Sequence, residues 1–244
     1  TLMRSSAASD VYKRQIKECE NVMQTISSIQ DLYEFTREQL EKKQGTIAIN
    51  FANHPIIYSG NDIIGNSLQE WLPSWFSHLK VDIKPGAHSQ EFPDFVANFN
   101  GIKCDIEVKA WNYNNNPAFD IANFHSFVQQ TYSSPGKINA YFIILGYTPA
   151  NDGFSKGFTV EKVYLKRIWE ITNRSRKYPI GLQVKRNSPY AIRPCAFHRA
   201  NSFQNKEEFI DAICETYKMF PNRNLPFTPQ EWKEQVLHLS LIHI

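Results

Sequence analysis

A hairpin signal in residues 94–111 constrains the fold of this chain more than any other feature. Residues 94–100 and residues 102–111 both alternate between apolar and polar side chains, which is typical of β-strands. They meet at Asn100–Gly101, a pair that favours the tight two-residue turn of a β-hairpin. The pattern therefore predicts two antiparallel strands in the middle of the chain.

The second strand of this hairpin carries an unusual set of charges. Successive side chains of a strand point to opposite faces. Ile106 and Val108 therefore share one face, and the other face holds Asp105, Glu107 and Lys109. Three charged residues on one face of a strand that leads toward an apolar sheet are a poor way to build a core. We therefore expect this face to serve chemistry.

Asp94 stands at the start of the hairpin, on the strand that adjoins the one carrying Glu107. A tight turn brings Asp94 to within a few residues of register with Glu107, near the ammonium group of Lys109. Two carboxylates that converge beside an ammonium group are what a hard divalent cation with a water nucleophile requires. The pattern predicts a metal-dependent hydrolase site, and the alternative is a surface hairpin with a solvated Glu107–Lys109 pair.

The rest of the sequence predicts helices around a central sheet. The continuous apolar run 140–146 is typical of a buried strand. Helices are predicted over residues 16–43, 62–72, 123–132, 206–220 and 229–237, a weak helix over 166–172 and a further strand over 157–165. Pro73 is expected to end the second helix. This order indicates one α/β domain over residues 16–238. Residues 1–15 and 239–244 resemble translated adapter sequence and are expected to be non-native tails.

Composition restricts the function classes that fit the chain. Of its 244 residues, 42% are hydrophobic and 21% are charged, a balance typical of a folded globular protein. The longest strongly apolar run, residues 140–147, is too short to cross a membrane. The four cysteines are scattered and form no CxxC pair, which argues against a structural zinc site or a disulfide framework. Reduced thiols in a cytoplasmic protein are the expectation.

Positive charge is concentrated in residues 153–200, here called the basic segment. It contains eleven Lys and Arg residues against two Glu residues, a net charge of +9 in a chain whose total is +3. Aromatic residues are interleaved with these charges. A surface that binds a polyanion is expected to have this composition. A solvated basic face without a partner is the alternative.

Pro93-Asp94 followed by Glu107-Val108-Lys109 resembles the motif of the PD-(D/E)xK nuclease superfamily. In that superfamily the motif lies on a β-hairpin, and the helix and apolar strand that follow it here match the order of its αβββαβ core. The fold implied is α/β and restriction-endonuclease-like, with a mixed central sheet flanked by helices. Within the superfamily, the chain resembles a type II restriction endonuclease of the NgoBV/NlaIV group.

This resemblance implies a type II enzyme that hydrolyses double-stranded DNA at a specific site, depends on Mg²⁺ and leaves 5′-phosphates. Asp94, Glu107 and Lys109 would be its catalytic residues. The metal would be held by Asp94, Glu107, the backbone carbonyl near Val108 and Glu70 on the preceding helix. The resemblance further implies a cognate DNA methyltransferase as a genetic partner, and no membrane partner is expected.

Within the basic segment, we expect DNA contacts from Lys185, Arg186, Asn187, Tyr190 and Arg193. Pro194 restricts the backbone of Arg193, which suits a bidentate contact with guanine. Lys166, at the exit of a predicted strand, is expected to contact phosphate as a point charge. Symmetric cutting of two strands implies a homodimer, because one active site serves one strand.

Further candidates for the site lie on the motif strand, on the helix that follows it and in the loop before it. Asp105 shares the face of Glu107, and Gln129 or Gln130 lies on the following helix, where related nucleases place a polar residue. His88 precedes the motif in a loop.

Three other functions remain compatible with the sequence. One is a less specific repair or recombination nuclease of the same superfamily, and another is a catalytically inactive DNA-binding protein. The third is an α/β protein with no nucleic-acid function. Cleavage into discrete DNA fragments would separate the predicted enzyme from all three.

Overall fold

The structure is a computed structural model that describes residues 26–58, 63–86, 92–150, 157–199 and 201–240. The helices of this part are α1 (Ile29–Leu40), α2 (Ile64–His78), α3 (Phe124–Ser133), α4 (Lys206–Met219) and α5 (Pro229–Ser240), with short 3-10 helices at Pro135–Asn139 and Ile168–Ile171. The strands are β1 (Gln44–Gly45), β2 (Ala48–Phe51), β3 (His54–Ile57), β4 (Ile83–Pro85), β5 (Phe95–Phe99), β6 (Ile102–Asn112), β7 (Ala122–Asn123), β8 (Tyr141–Pro149), β9 (Phe158–Arg167), β10 (Leu182–Lys185) and β11 (Ser188–Ile192).

A six-stranded mixed sheet, in the order β1-β9-β8-β6-β5-β4, forms the centre of the fold. The pair β6 and β8 is parallel, and the other neighbours in this sheet are antiparallel. Apart from β7, which belongs to a separate sheet, and the 3-10 helix Pro135–Asn139, the elements α2, β4, β5, β6, α3 and β8 follow one another along the chain as αβββαβ. The predicted α/β fold is therefore confirmed, with the short strand β4 as an element that the sequence analysis did not detect.

Strand β8 explains how this sheet is covered on both faces. Phe142 and Ile144 pack into a core with α3, α4 and α5, whereas Ile143 and Leu145 pack into a second core with α1 and α2. All four side chains are fully buried. A strand buried on both faces reads as a continuous apolar run, which is why residues 140–146 predicted a central strand correctly.

Helix α2 corrects the prediction that Pro73 ends the second helix. The helix continues through Pro73 to His78. Leu72 and Phe76 are fully buried, and Trp75 stacks on Phe35 of α1 with 5.6 Å between ring centroids. Proline inside a helix costs about 3 kcal/mol. Burial of the two large apolar side chains on either side of Pro73 offsets that cost.

Other boundaries also differ from the sequence-based expectations. Within the described residues, the first helix spans Ile29–Leu40, with Ser28 accepting a hydrogen bond from the Asp31 N–H as its N-cap. Strand β9 extends to Arg167, so the weak helix expected over residues 166–172 is reduced to a 3-10 turn. The predicted non-native tails lie outside the described residues, apart from residues 239 and 240, which continue α5.

The stretch around residue 190, for which the sequence analysis predicts no strand, is a β-hairpin. Strands β10 and β11 pair with each other, and β11 pairs with β7 at the start of α3. Arg186 and Asn187 form the turn, both with positive φ. The stretch lacks the Asn-Gly or Asp-Gly pair that usually indicates such a turn, and Pro189 argues against a strand, which explains why the hairpin was missed.

Candidate active site

The predicted hairpin exists and brings the three motif residues together. Phe99 pairs with Ile102 across a two-residue turn at Asn100–Gly101, where both residues have positive φ. The register set by this turn pairs Phe95 with Ile106. Asp94 and Glu107 each lie one step beyond that pair, on adjoining strands. The side chain of Lys109 follows on the face of Glu107.

Hydrogen bonds fix the two carboxylates against each other. The Val108 N–H donates to Asp94 Oδ2 at 2.7 Å, and the Asp94 N–H donates to Glu107 Oε2 at 3.0 Å. Lys109 Nζ lies 2.7 Å from Glu107 Oε1 in an ion pair. The Glu107 side chain is 6% exposed and that of Lys109 is 12% exposed. This compact cluster leaves little freedom for any of the three side chains.

Burial changes the acidity of the cluster. Loss of solvent raises the pKa of Glu107 to about 7, even though the ammonium group of Lys109 acts in the opposite direction. Burial also raises the pKa of Asp94, against the hydrogen bond from Val108. For Lys109, burial favours the neutral amine, but the carboxylates of Glu107, Asp94 and Asp120 together outweigh burial and raise the pKa. Lys109 is therefore a cation. Its single positive charge does not offset the burial of Asp94 and Glu107, whose pKa values both remain raised.

The cluster opens into a cavity of about 630 Å³, here called the central cavity. Its wall combines the motif residues with side chains from α2, α3, β11 and the loop before β7, and it includes Gln69, Phe92, Asp94, Glu107, Lys109, Asp120, Asn123, Ser126, Gln130 and Tyr190. A second, amide-rich cavity of about 540 Å³ shares Gln69, Lys109 and Asp120 with it. The motif residues thus face the open space of the central cavity.

Helix α3 supplies the support for the start of the motif. Gln130 Oε1 accepts a hydrogen bond from the Phe92 N–H at 3.1 Å, and its amide donates to Ser126 Oγ at 2.9 Å. Of the two glutamines considered from the sequence, Gln130 is half-buried and lines the central cavity, whereas Gln129 is exposed. Gln130 therefore holds the segment from which Asp94 extends.

The structure does not bring every predicted residue to the cavity. Glu70 on α2 is exposed and does not line the central cavity, and its neighbour Gln69 lines it instead. Asp105 is half-buried, where loss of solvent raises its pKa and Lys137 acts against that rise. His88 lies outside the described residues.

Two carboxylates are therefore available as cation ligands. Among the described residues, no group of three or more His, Cys, Asp and Glu side chains could hold a metal ion. Mg²⁺ is commonly bound by one or two carboxylates, with water and substrate phosphate completing its coordination. Asp94 and Glu107, desolvated and of raised pKa, fit such an ion because its charge would offset the cost of ionising them in a buried place.

The hairpin β10–β11 carries most of the residues predicted to contact DNA. Lys185, Arg186, Asn187 and Tyr190 are all exposed, and Lys185 Nζ lies 3.5 Å from the centre of the Tyr190 ring. Tyr190 also lines the central cavity. A cationic hairpin with an exposed aromatic ring therefore borders the same cavity as the motif residues.

Arg193 differs from the rest of this set. Its guanidinium group forms an ion pair with Asp120 and donates to the backbone carbonyl of Ala118. The Arg193 side chain is 29% exposed. Arg193 thus ties β11 to the loop that precedes β7, and its predicted contact with guanine remains a prediction.

The remainder of the basic segment is partly neutralised by acidic residues. Lys162 pairs with Glu41, Lys166 with Glu170 and Arg174 with Glu215. Arg167 packs over the ring of Tyr141 and donates to the backbone carbonyl of Asn139. Within the described residues of the segment, the hairpin β10–β11 is what reaches the central cavity, through Tyr190 and Ala191.

Gln69 and Asp120 are residues of the cavity that the sequence analysis missed. Gln69 lies one position before Glu70, the residue selected on α2, and it is Gln69 that lines the central cavity. Asp120 sits in a loop without any pattern that marks it as special. In both cases the decisive information is tertiary, since neither residue belongs to a local motif.

No helix of the described residues is both long and apolar enough to span a membrane. The described cysteines, Cys104, Cys195 and Cys214, are free thiols.

Comparison with known proteins identifies the family. The family model for NgoBV restriction endonuclease matches residues 24–243. The chain belongs to the NgoBV restriction endonuclease family. It is 30% identical over 190 residues to the type II restriction enzyme NlaIV of Neisseria lactamica, an alignment that covers 75% of this chain and 77% of that protein. It is 30% identical over 150 residues to the type II restriction enzyme NgoBV of Neisseria gonorrhoeae, covering 61% of this chain and 83% of that protein.

A solved structure of NlaIV restriction endonuclease has the same fold as this member of the NgoBV family. The two share 27% sequence identity with a TM-score of 0.76, over 88% of this chain and 89% of that chain. The resemblance to a type II restriction endonuclease of the NgoBV/NlaIV group is therefore confirmed, as is the restriction-endonuclease-like fold. The chain is an enzyme of this family.

Proposed function

We propose that this member of the NgoBV family is a Mg²⁺-dependent endonuclease that hydrolyses both strands of DNA at a specific site and leaves 5′-phosphates. The observation that carries the proposal is the buried cluster of Asp94, Glu107 and Lys109 at the wall of an open cavity. The catalytic residues of the proposal are these three.

Asp94 and Glu107 would hold the metal, together with the backbone carbonyl near Val108. When bound, the ion would neutralise charge on the phosphodiester and lower the pKa of water. Gln69, rather than Glu70, is the α2 side chain that faces this region, so in our proposal Glu70 contributes at most through its charge at longer range.

Lys109 would act as a fixed cation. The carboxylate of Glu107 favours its protonated form, so an ammonium group rather than a neutral amine faces the substrate. In hydrolysis, water attacks phosphorus in line and the bond from phosphorus to the 3′-oxygen breaks. The attacking water loses a proton to solvent, and the departing 3′-oxygen takes one up from solvent. Lys109 would orient the water and stabilise the negative charge that develops on phosphorus.

DNA would lie across the central cavity. Lys185 and Arg186 would contact the backbone, and Asn187, Tyr190 and Arg193 would contribute to contacts within a groove. This placement is supported by the position of Tyr190 on the wall that also holds Asp94. It assigns the main role in holding DNA to the exposed hairpin, with Lys166 as a further contact to phosphate.

Cutting of both strands would involve a homodimer, because the described part of each chain holds one such cluster. A restriction enzyme also endangers the DNA of its own cell. We therefore extend the proposal to a cognate DNA methyltransferase as a genetic partner and to action in the cytoplasm, where foreign DNA enters.

The test is incubation of the purified protein with phage DNA in the presence of Mg²⁺. Discrete fragments that a ligase rejoins without prior treatment by a kinase would support site-specific cleavage with 5′-phosphate ends. A smear would indicate the less specific nuclease, and binding without cleavage would indicate an inactive DNA-binding protein. The variant Asp94→Ala and a reaction with EDTA serve as controls, and both should leave the DNA intact.

A further inference from the structure

The amide-rich cavity of about 540 Å³, here called the amide cavity, has a wall unlike that of the central cavity. Among the described residues that line it, Lys109 and Asp120 alone are charged, and both are shared with the central cavity. Five lining residues carry side-chain amides: Asn66, Gln69, Asn112, Asn115 and Asn116. One cation beside one anion provides no net charge to hold phosphate. The wall therefore suits a neutral partner that forms hydrogen bonds.

Two elements present these amides. Asn66 and Gln69 lie three residues apart on α2 and so share one face of that helix. Asn115 and Asn116 lie just after β6, the strand that carries Lys109. Both of these asparagines are exposed, and neither side chain forms a hydrogen bond within the described part of the chain. Their donors and acceptors are therefore free to bind a ligand.

The backbone around these asparagines is held in place without their side chains. The Asn115 N–H donates to the Asn112 carbonyl at 3.0 Å, and the Tyr113 N–H donates to the Tyr147 carbonyl at 2.7 Å. The Tyr147 hydroxyl in turn accepts a hydrogen bond from the backbone N–H of Gly65 on α2. Both elements that present amides are thus tied to strand β8. Groups held in this way lose less conformational freedom when they bind a ligand.

The two cavities lie on different sides of Lys109. The hairpin β10–β11 lines the central cavity, through Tyr190 and Ala191, but not the amide cavity. In duplex DNA, each backbone strand separates the major groove from the minor groove, and the major groove admits a two-stranded β-ribbon. In the proposed function, the scissile phosphate lies next to Lys109. With the hairpin β10–β11 in the major groove, the amide cavity therefore faces the minor groove.

The edges of base pairs in the minor groove match side-chain amides chemically. A·T pairs offer the acceptors adenine N3 and thymine O2, and G·C pairs add the N2 amino group of guanine as a donor. An amide carries both a donor and an acceptor, so it can bind either kind of edge. The side chains of Lys and Arg only donate and cannot accept from guanine N2. An amide-lined wall is therefore suited to this groove.

We infer that Asn115 and Asn116, together with Gln69, bind the minor-groove edges of base pairs near the scissile phosphate and contribute to sequence specificity. The inference rests on the proposed function, because that function brings the scissile phosphate to Lys109. It adds a second surface for base recognition, in the groove opposite to that of the hairpin β10–β11.

The test uses the double variant Asn115→Ala/Asn116→Ala, with Asn114→Ala as the matched control. Asn114 is exposed beside them in the chain but does not line the amide cavity. Neither variant loses a buried side chain, so both should fold, which circular dichroism checks. A preferred duplex is first selected from a random pool with Ca²⁺ in place of Mg²⁺, so that its sequence is obtained without cleavage.

Inosine then replaces each guanine of this duplex in turn, and 3-deazaadenine replaces each adenine. These bases lack the N2 amino group or the N3 acceptor of the minor groove and keep the major-groove edge. Wild type and Asn114→Ala should lose affinity by about fivefold or more at one or more positions. The double variant should bind the unmodified duplex more weakly by at least that factor, and the same modified bases should cause no further loss.

Three results would overturn the inference. The first is a wild type whose affinity is unchanged by every modified base, and the second is a double variant that is as sensitive to them as wild type. The third is an equal loss of affinity for the selected and an unrelated duplex, which would place the amides on the DNA backbone.

Cleavage with Mg²⁺ is measured separately, so that the two proposals can fail independently. A wild type that responds to the modified bases but does not cut DNA would refute the proposed function and leave the minor-groove contact standing. A wild type that cuts at a specific site but does not respond to them would refute the inference alone.

Discussion

Two β-hairpins border the central cavity, and they handle charge in opposite ways. In β5–β6, Glu107 and Lys109 are nearly buried, paired at 2.7 Å and held by backbone hydrogen bonds. In β10–β11, Lys185 and Arg186 are exposed, and neither forms an ion pair with a described residue. The first hairpin lies inside the main sheet, whereas the second belongs to a small three-stranded sheet at its side.

This difference suits the two hairpins to different tasks: the buried charges of β5–β6 suit catalysis, and the exposed cations of β10–β11 suit DNA binding. Electrostatic interactions are stronger where water is excluded, and fixed groups there need no reorganisation during a reaction. Contacts with DNA need exposed cations instead. An exposed Lys or Arg side chain can neutralise a phosphate and release the counterion that was bound there. The two hairpins should therefore respond to substitution in different assays.

The largest effect is expected from the buried hairpin. Asp94→Ala or Glu107→Ala should reduce cleavage by at least about a thousandfold, because loss of a carboxylate removes a ligand of the cation that organises the reaction. Affinity for DNA should stay near the wild-type value, as measured by gel shift with Ca²⁺ in place of Mg²⁺.

A matched control for these variants is Asp105→Asn. Asp105 lies on the same strand face as Glu107, two residues earlier, but does not line the cavity. Its variant should cleave at close to the wild-type rate. Full cleavage by Asp94→Ala or Glu107→Ala would disprove the assignment of the site.

The sequence predicted the buried hairpin better than the exposed one, for a physical reason. A two-residue turn at Asn100–Gly101 fixes the register, and the register fixes which side chains meet. Proximity of Asp94 and Glu107 is therefore a local consequence of the turn. In β10–β11, the turn residues Arg186 and Asn187 give no such signal, and the strand was not predicted.

Tertiary packing accounts for the other differences. The continuation of α2 through Pro73 depends on burial of Leu72 and Phe76 against distant elements, which no local pattern encodes. The choice between Glu70 and Gln69 depends on how α2 is rotated against the sheet, and a difference of one residue turns the side chain by about 100°. The partner of Arg193 is a loop residue more than seventy positions earlier, Asp120.

The second prediction tests whether Arg193 reads DNA or only anchors a loop. If it reads guanine, Arg193→Ala should lower the preference for the cognate site over an unrelated duplex by about ten- to a hundredfold. Asp120→Asn should then retain most of that preference, because it removes the ion pair and leaves the Ala118 carbonyl as the acceptor that holds the guanidinium group. Lys166→Ala should weaken binding to both duplexes alike. If Asp120→Asn instead reproduces the loss seen in Arg193→Ala, the ion pair is an anchor and base reading lies elsewhere.

The third prediction concerns pH, where the two hairpins should differ again. With a pKa of about 7 in the free protein, Glu107 becomes ionised as the pH rises from 6 to 8. Cleavage at limiting Mg²⁺ should rise by about tenfold over that interval, because the cation needs the ionised carboxylate. DNA affinity, which depends on Lys and Arg, should hardly change. A cleavage rate that is flat across this interval at limiting Mg²⁺ would contradict the assignment of Glu107 as a ligand.

The same pKa also fixes the sign of a stability effect. The folded protein holds its Glu107 proton up to about pH 7, whereas the ordinary value for Glu is 4.5. Between these values the folded state binds more protons than the unfolded state, so its stability should fall as the pH rises. The raised pKa of Asp94 acts in the same direction. Thermal unfolding with EDTA should show this fall, and Mg²⁺ should reduce it at pH 8. An increase of stability with pH in this range would refute the shift.

The smallest effect is expected from single cations of the exposed hairpin. Lys185→Ala or Arg186→Ala should each lower DNA affinity only a few-fold at low salt, because each cation neutralises about one phosphate. The more informative quantity is the slope of log affinity against log salt concentration, which should become shallower by about 0.9 for each phosphate that the variant no longer neutralises.

Lys218→Ala, a change to an exposed lysine of α4 outside the basic segment, is the matched control and should keep the wild-type slope. Cleavage under saturating DNA should be unaffected in all three variants, since none alters the buried cluster. If the slope is unchanged in Lys185→Ala and Arg186→Ala, these side chains are solvated in the complex and DNA approaches the central cavity from another side.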